Sequence, residues 1–120
     1  MPSTRSATPI SVDDLIEQGF VVPNIVEVRD FLAGHPDIAT LLVEAMSVIP
    51  RYFGEGTAVL LLVQDDPDGQ EDRYLVANVR TALGPTAAFE RLHQMSDDWW
   101  LTASKGLRED VLLSLDLVRR

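Results

Sequence analysis

Two short apolar runs separated by a turn-forming stretch constrain the fold of this chain more than any other feature. Residues 57–64 read TAVLLLVQ and residues 73–80 read RYLVANVR, and both have the length and composition of β-strands. The intervening DDPDGQED contains Pro67, which fixes φ, and Gly69, which can adopt a positive φ. The sequence therefore predicts an antiparallel hairpin.

Helix-capping residues precede the hairpin at two places. Ser11 can cap a short helix whose first turn is acidic. Asn24 can cap a helix over residues 25–33, with Glu27 at the third helical position of a capping box. Gly34 follows this helix at the position where a left-handed residue often ends one, so we expect it to do so here.

The next helix is predicted to begin at Pro36, because proline is well tolerated in a first helical turn. Pro50 should end or kink it. Apolar residues recur at helical spacing along one stripe, which should face the core: Ile38, Leu41, Leu42, Ala45, Val48 and Ile49.

A helix that contains two adjacent tryptophans follows the hairpin and is predicted to begin at Gly84 and Pro85. At about 100° per residue, one face would carry five side chains: Ala88, Leu92, Met95, Trp99 and Ala103. This phase predicts that Trp99 is buried in the core. It also predicts that Trp100 lies at the edge of the stripe, partly exposed, beside Phe89 and His93.

The chain closes with residues 111–118, in which Val111 and the following leucines alternate with Ser114 and Asp116 as in a strand. The main elements then follow the order α-α-β-β-α-β. We expect an α+β fold with a three-stranded antiparallel sheet of order 2-1-3, in which the last strand lies beside the first and the helices cover one face.

Length, charge and composition restrict the class of protein. The 120 residues suit one domain over 10–120 after a flexible tail over 1–9, and no apolar run approaches the roughly 20 residues of a membrane span. The opening residues do not resemble a secretory signal, so we expect a cytoplasmic protein. The net charge of −9 disfavours direct nucleic-acid binding, and the absence of cysteine removes disulfides and thiolate chemistry.

The acidic turn invites comparison with a calcium loop, because clustered carboxylates are ligands for hard cations. Aligning Gly69 with the glycine of an EF-hand leaves Gln64 at the first ligand position and Leu75 at the position of the bidentate Glu. The sequence therefore predicts a flexible, solvated turn over residues 65–72 and no metal site there.

One histidine and one aspartate are the strongest candidates for chemistry. His93 and Asp97 are one helical turn apart, and His35 could approach them in space, but a zinc or iron site needs three or four ligands. We predict an ordinary surface ion pair. No nucleophile elbow and no glycine-rich phosphate loop is present in the sequence.

The stretch SVIPRYFGEG…ERLHQMSDDWW resembles a group of small uncharacterised bacterial α+β proteins. In that group a Tyr-Phe helix end, a strand pair around an Asp-Pro turn and an E-R-L-x6-W-W helix precede a final strand. Glu90, Arg91, Leu92, Trp99 and Trp100 match the pattern, and Gly84 stands where the group leads us to expect a capping Ser. The resemblance implies the fold outline and no activity.

The sequence favours a small acidic, non-catalytic protein-interaction module of accessory or antitoxin-like type over an enzyme. The strand that contains Leu60 and Leu62 is apolar on both faces, so it needs a second cover besides the helices. We expect a homodimer or a basic protein partner, with no cofactor, and place partner binding at Trp100, Phe89 and His93. The alternative is a metal-dependent or hydrolytic enzyme that uses His93 and Asp97 with His35.

Overall fold

The structure, a computed structural model, describes residues 10–65, 73–107 and 110–117. The predicted tail over residues 1–9 and most of the predicted acidic turn, residues 66–72, lie outside the described residues. The helices are α1 (Val12–Gln18), α2 (Ile25–Ala33), α3 (Pro36–Phe53), α4 (Pro85–Met95) and α5 (Leu101–Ala103), with a π-helical segment (Ser96–Trp100) between the last two. The strands are β1 (Phe20–Val21), β2 (Val59–Asp65), β3 (Arg73–Thr81) and β4 (Val111–Leu117).

Helix α1 forms as its sequence predicts and has a complete capping box. The Asp14 backbone N–H donates to Ser11 Oγ at 3.2 Å, and the Ser11 backbone N–H donates to Asp14 Oδ2 at 3.0 Å. Gly19 ends the helix with φ of 117°, and a Cβ atom there would lie 2.8 Å from Met46 Cε. The positive φ therefore favours glycine here, whereas the flexible end of the Met46 side chain could move to make room for a Cβ atom.

Helices α2 and α3 also begin where predicted, but Gly34 does not adopt the left-handed conformation. Its φ is −90°, and its N–H donates to the Phe31 carbonyl at 3.1 Å. The next helix begins only two residues later at Pro36, so the chain continues through a tight turn without the left-handed residue that usually ends a helix. Helix α3 includes Pro50 and ends at Phe53.

No single helix among the described residues is long and apolar enough to cross a membrane. Helices α2 and α3 meet that condition only when taken together, and they are bent by 116° at the break between them.

The sheet differs from the predicted one in strand number, direction and order. It has four strands in the order β1-β2-β3-β4, with β1 parallel to β2, β2 antiparallel to β3, and β3 parallel to β4. The predicted hairpin is confirmed, whereas the three-stranded antiparallel order 2-1-3 is wrong. The short strand β1 occupies the edge of β2 predicted for the last strand, and the helical connection through α4 returns β4 parallel to β3, as is usual for a strand-helix-strand unit.

One face of the sheet, here called the inner face, packs against the helices. Its fully buried residues include Val59, Leu61, Leu75 and Val79. They belong to one hydrophobic cluster with buried residues of α1, α2 and α3 and with Met95 and Trp100. Burial of this apolar surface is the main stabilising contribution of the helix layer.

The predicted burial of the two tryptophans is reversed, because the helix changes its hydrogen bonding at the end of α4. In the π-helical segment the Leu101 N–H donates to the Ser96 carbonyl, five residues back instead of four. The residue five positions after buried Met95 therefore follows it on the core face. Trp100 is 6% exposed and Trp99 is half-buried, so the prediction of a core Trp99 and an exposed Trp100 is wrong.

Candidate association surface

The second face of the sheet, here called the outer face, is the strongest candidate functional surface. Because side chains alternate along a strand, residues next to the inner-face positions point to the opposite side. The strand register places on this outer face Val21, Leu60, Leu62, Gln64, Tyr74, Val76, Asn78, Arg80, Leu112, Ser114 and Asp116.

An apolar row crosses the middle of the outer face. Leu62 pairs with Val76, and Val76 pairs with Leu112, so the three side chains lie side by side on β2, β3 and β4. Val76, on a central strand, is 8% exposed, while Leu112 on the edge strand is 50% exposed. Apolar surface on this side therefore increases toward β4.

In the described part of the chain, no outer-face side chain belongs to the hydrophobic cluster that the helices form with the inner face. Leu60 and Leu62 are nevertheless half-buried. The prediction that β2 is apolar on both sides is confirmed. The helices cover one of those sides.

An ion pair lies farther along the outer face, separated from the apolar row by Asn78 and Ser114. Arg80 Nε lies 3.2 Å from Asp116 Oδ2, between the neighbouring strands β3 and β4. Both side chains are partly exposed, so the pair contributes little to stability. Its effect on the surface is that the charge near β4 is balanced within one chain.

The free edge of β4 adjoins the outer face. Among the described residues, β4 pairs with β3 alone, and its seven residues, Val111–Leu117, form an uninterrupted ladder on that side. Leu117 is 39% exposed. An edge strand of this composition lacks the lysine, proline or bulge that often blocks pairing with another strand.

The predicted partner-binding residues do not form one exposed site. Trp100 is buried, and its carbonyl accepts a 2.6 Å hydrogen bond from the buried Ser104 hydroxyl. Phe89 is 57% exposed, and exposed His93 lies 3.8 Å from Asp97 as the predicted ion pair. Partner binding by these residues stays a prediction, and Trp100 does not have the exposed ring expected of it.

His35 makes its contacts within its own part of the chain. Its Nδ1 lies 2.9 Å from the Phe31 carbonyl oxygen, and its ring stacks on the Phe31 ring at 4.2 Å between centroids. Across residues 10–65, 73–107 and 110–117, no group of three or more His, Cys, Asp or Glu side chains could hold a metal ion. The geometry therefore gives no support to the predicted alternative of His93 and Asp97 acting with His35.

Tyr52 links the end of α3 to the π-helical segment. Its hydroxyl donates to Asp98 Oδ2 at 2.8 Å, and its carbonyl accepts from Arg91 Nη1 at 2.7 Å. The hydrogen bond to the Asp98 carboxylate, with smaller contributions from desolvation and charge, raises the pKa of Tyr52 above its ordinary value of 10.0. These contacts hold α3 against α4 and the π-helical segment, and they do not resemble an acid–base site.

A cavity of about 330 Å³ lies where α1, α2 and α3 meet. Its wall is mainly apolar and includes Val12, Leu32 and Ala39, with Arg29 and Asp13 as the charged residues. It also borders Ile10, the first described residue. No arrangement of polar groups in its lining indicates a particular ligand.

Part of the outer face could not be predicted from the sequence, because β1 is only two residues long and the position of β4 depends on tertiary pairing. The apolar character of both sides of β2 was the available signal. No protein-family model, curated protein or solved structure matches the chain at a significant level. The resemblance to a group of small bacterial proteins stays a prediction.

Proposed function

We propose that this chain is a non-catalytic protein-association module and that the outer face of its sheet is the binding surface. The observation that carries the proposal is the apolar row of Leu62, Val76 and Leu112, which lies in register across β2, β3 and β4. A role as an accessory or antitoxin-like protein fits such a module.

The physical reason is the free energy of covering apolar surface. A sheet with apolar side chains on both faces is most stable when both faces are removed from water, and the helix layer supplies one cover. Each Å² of apolar surface that a partner removes from water contributes about 25 cal/mol before the costs of association. Tyr74, half-buried on the outer face, supplies an aromatic group of the kind that often anchors interfaces.

Charge helps to define the partner. The chain has a net charge of −9, so basic proteins are attracted to it at long range. The uncharged side chains of Asn78 and Ser114 border the apolar row toward the Arg80–Asp116 pair, so contact at the row depends on apolar burial more than on salt bridges. The outer face therefore suits a partner that presents an apolar surface or strand.

Two single substitutions of similarly exposed apolar residues test this proposal. Leu112 on the outer face is 50% exposed, and Phe89 on α4 is 57% exposed. We expect Leu112→Asp to weaken association at least tenfold. Sedimentation of the chain and co-purification of stoichiometric partners from source cells measure the effect. Phe89→Asp should leave both readouts unchanged.

Thermal melts of both variants provide the folding control. If Phe89→Asp abolishes association while Leu112→Asp retains it, the binding surface lies on the helix flank and the outer-face proposal is wrong. If the unmodified chain associates with nothing in either readout, the function as an association module is wrong.

A further inference from the structure

The backbone groups of β4 that pair with no other strand in the described part of the chain have a defined direction. The Leu75 N–H donates to the Asp110 carbonyl at 2.8 Å, so residue 110 and every second residue after it direct their backbone groups toward β3. The alternate residues Val111, Leu113, Leu115 and Leu117 therefore direct their N–H and C=O groups away from the sheet. The Val111 N–H is already used, since it donates to the Leu107 carbonyl at 3.1 Å.

We propose that a second copy of this chain pairs with β4 in antiparallel direction about a two-fold axis at Ser114, which joins two sheets edge to edge. This inference rests on the proposed association function and adds a contact at the edge of β4, which adjoins the outer face without covering it. In this register the backbone N–H groups of Leu113, Leu115 and Leu117 donate to carbonyl groups of the second copy. The acceptors are those of Leu115, Leu113 and Val111, respectively. The one N–H already used within the chain is not required.

The side chains are compatible in the same register. On the inner-face side, Leu113 lies beside Leu115 of the second copy, which extends an apolar surface. On the outer side, Ser114 lies beside Ser114 of the second copy, and Leu112 lies beside Asp116. The outer faces of both sheets then form one continuous surface.

Charge favours this register over one shifted toward the end of β4. The two Asp116 side chains are separated by about 14 Å along the strands, beyond the Debye length of about 8 Å at physiological salt. Each carboxylate also lies 3.2 Å from Arg80 of its own copy. Shifting the axis toward the end of β4 would place the two carboxylates opposite each other, which is unfavourable.

Cysteine cross-linking tests the register directly, because the chain contains no cysteine. Across the proposed axis, Ser114 faces Ser114 of the second copy in a non-hydrogen-bonded pair. Their Cα atoms would be about 4.5 Å apart, which is within the range of a disulfide. We expect Ser114→Cys to form a covalent dimer on mild oxidation at about 10 μM, at least tenfold faster than Leu112→Cys. Two Leu112 residues would be about 14 Å apart in this dimer, too far for a disulfide.

Sedimentation of the unmodified chain at about 100 μM distinguishes the ways in which the experiment can fail. A dimer in which Ser114→Cys cross-links no faster than Leu112→Cys overturns edge pairing and leaves the outer-face proposal standing. A monomer with no rapid Ser114→Cys cross-linking also overturns pairing with a second copy, and the Leu112→Asp co-purification experiment then decides the proposed function. Thermal melts of both cysteine variants in reducing buffer confirm that each is folded.

Discussion

The two faces of the sheet have similar apolar side chains but different surroundings. Leu61 on the inner face is completely buried, whereas its neighbour Leu62 on the outer face is half-buried and does not belong to the helix-covered cluster. Local sequence is nearly the same at both positions, so the difference comes from what packs on each side. Apolar character alone therefore identifies a strand with two faces to cover, and the tertiary structure shows which of them the helices cover.

The largest loss of stability is expected from substitutions in the helix layer that covers the inner face. Trp100 is buried in the cluster, so Trp100→Ala should reduce the free energy of unfolding by about 3–5 kcal/mol. Half-buried Trp99 is the matched control, and Trp99→Ala should cost about 1–2 kcal/mol. Urea denaturation measures both. Equal losses, or a larger loss for Trp99→Ala, would show that the π-helical segment does not set the phase of the two rings.

The same comparison can be made within β2. Leu61→Ala removes a fully buried inner-face side chain and should cost about 2–5 kcal/mol. Leu62→Ala, one residue away on the outer face, should cost about 1 kcal/mol in dilute solution, where association is weak. Urea denaturation at about 1 μM measures the two losses. A Leu62→Ala loss as large as that of Leu61→Ala would mean that the outer face is covered within the single chain.

The smallest effect concerns the contact between α3 and the π-helical segment in the helix layer. The pKa of Tyr52 is raised in the folded chain, so the Tyr52–Asp98 hydrogen bond stabilises the fold below pH 10 and is lost as the pH rises through the higher folded value. We expect a slight extra fall in melting temperature as the pH rises above about 10, and Tyr52→Phe should reduce this fall. If the melting temperature of Tyr52→Phe falls equally at alkaline pH, the Tyr52–Asp98 hydrogen bond does not cause the fall.

Elements that depend on local signals could be predicted from the sequence. Ser11 and Asn24 mark the starts of α1 and α2, Pro36 marks the start of α3, and the two apolar runs form the antiparallel hairpin. In each case a short-range preference, such as a capping hydrogen bond or strand-length apolar content, agrees with the final packing.

Features that depend on tertiary pairing or on one altered hydrogen bond could not be predicted. Strand β1 has only two residues and forms because α1 delivers it to the edge of β2. One hydrogen bond from Leu101 to Ser96 shifts the helix phase and exchanges the burial of the two tryptophans.

The candidate site was predicted only in part for the same reason. The two-sided apolar character of β2 indicated a surface in need of a cover, and Leu60 and Leu62 do lie outside the helix-covered cluster. The contribution of Leu112 depends on β4 lying beside β3 and not beside β2. The helical spacing instead predicted that Trp100 is partly exposed and binds a partner, but Trp100 is buried.

The most direct test of the claim that a second copy pairs with the sheet at β4 is the mass of the unmodified chain in light scattering at about 100 μM. Measurements at about 0.05 M and 0.5 M NaCl separate apolar from charge-driven association. We predict a dimer whose fraction rises with salt, because two copies with net charge −9 repel each other and salt screens that repulsion. A monomeric mass at both salt concentrations would contradict the claim.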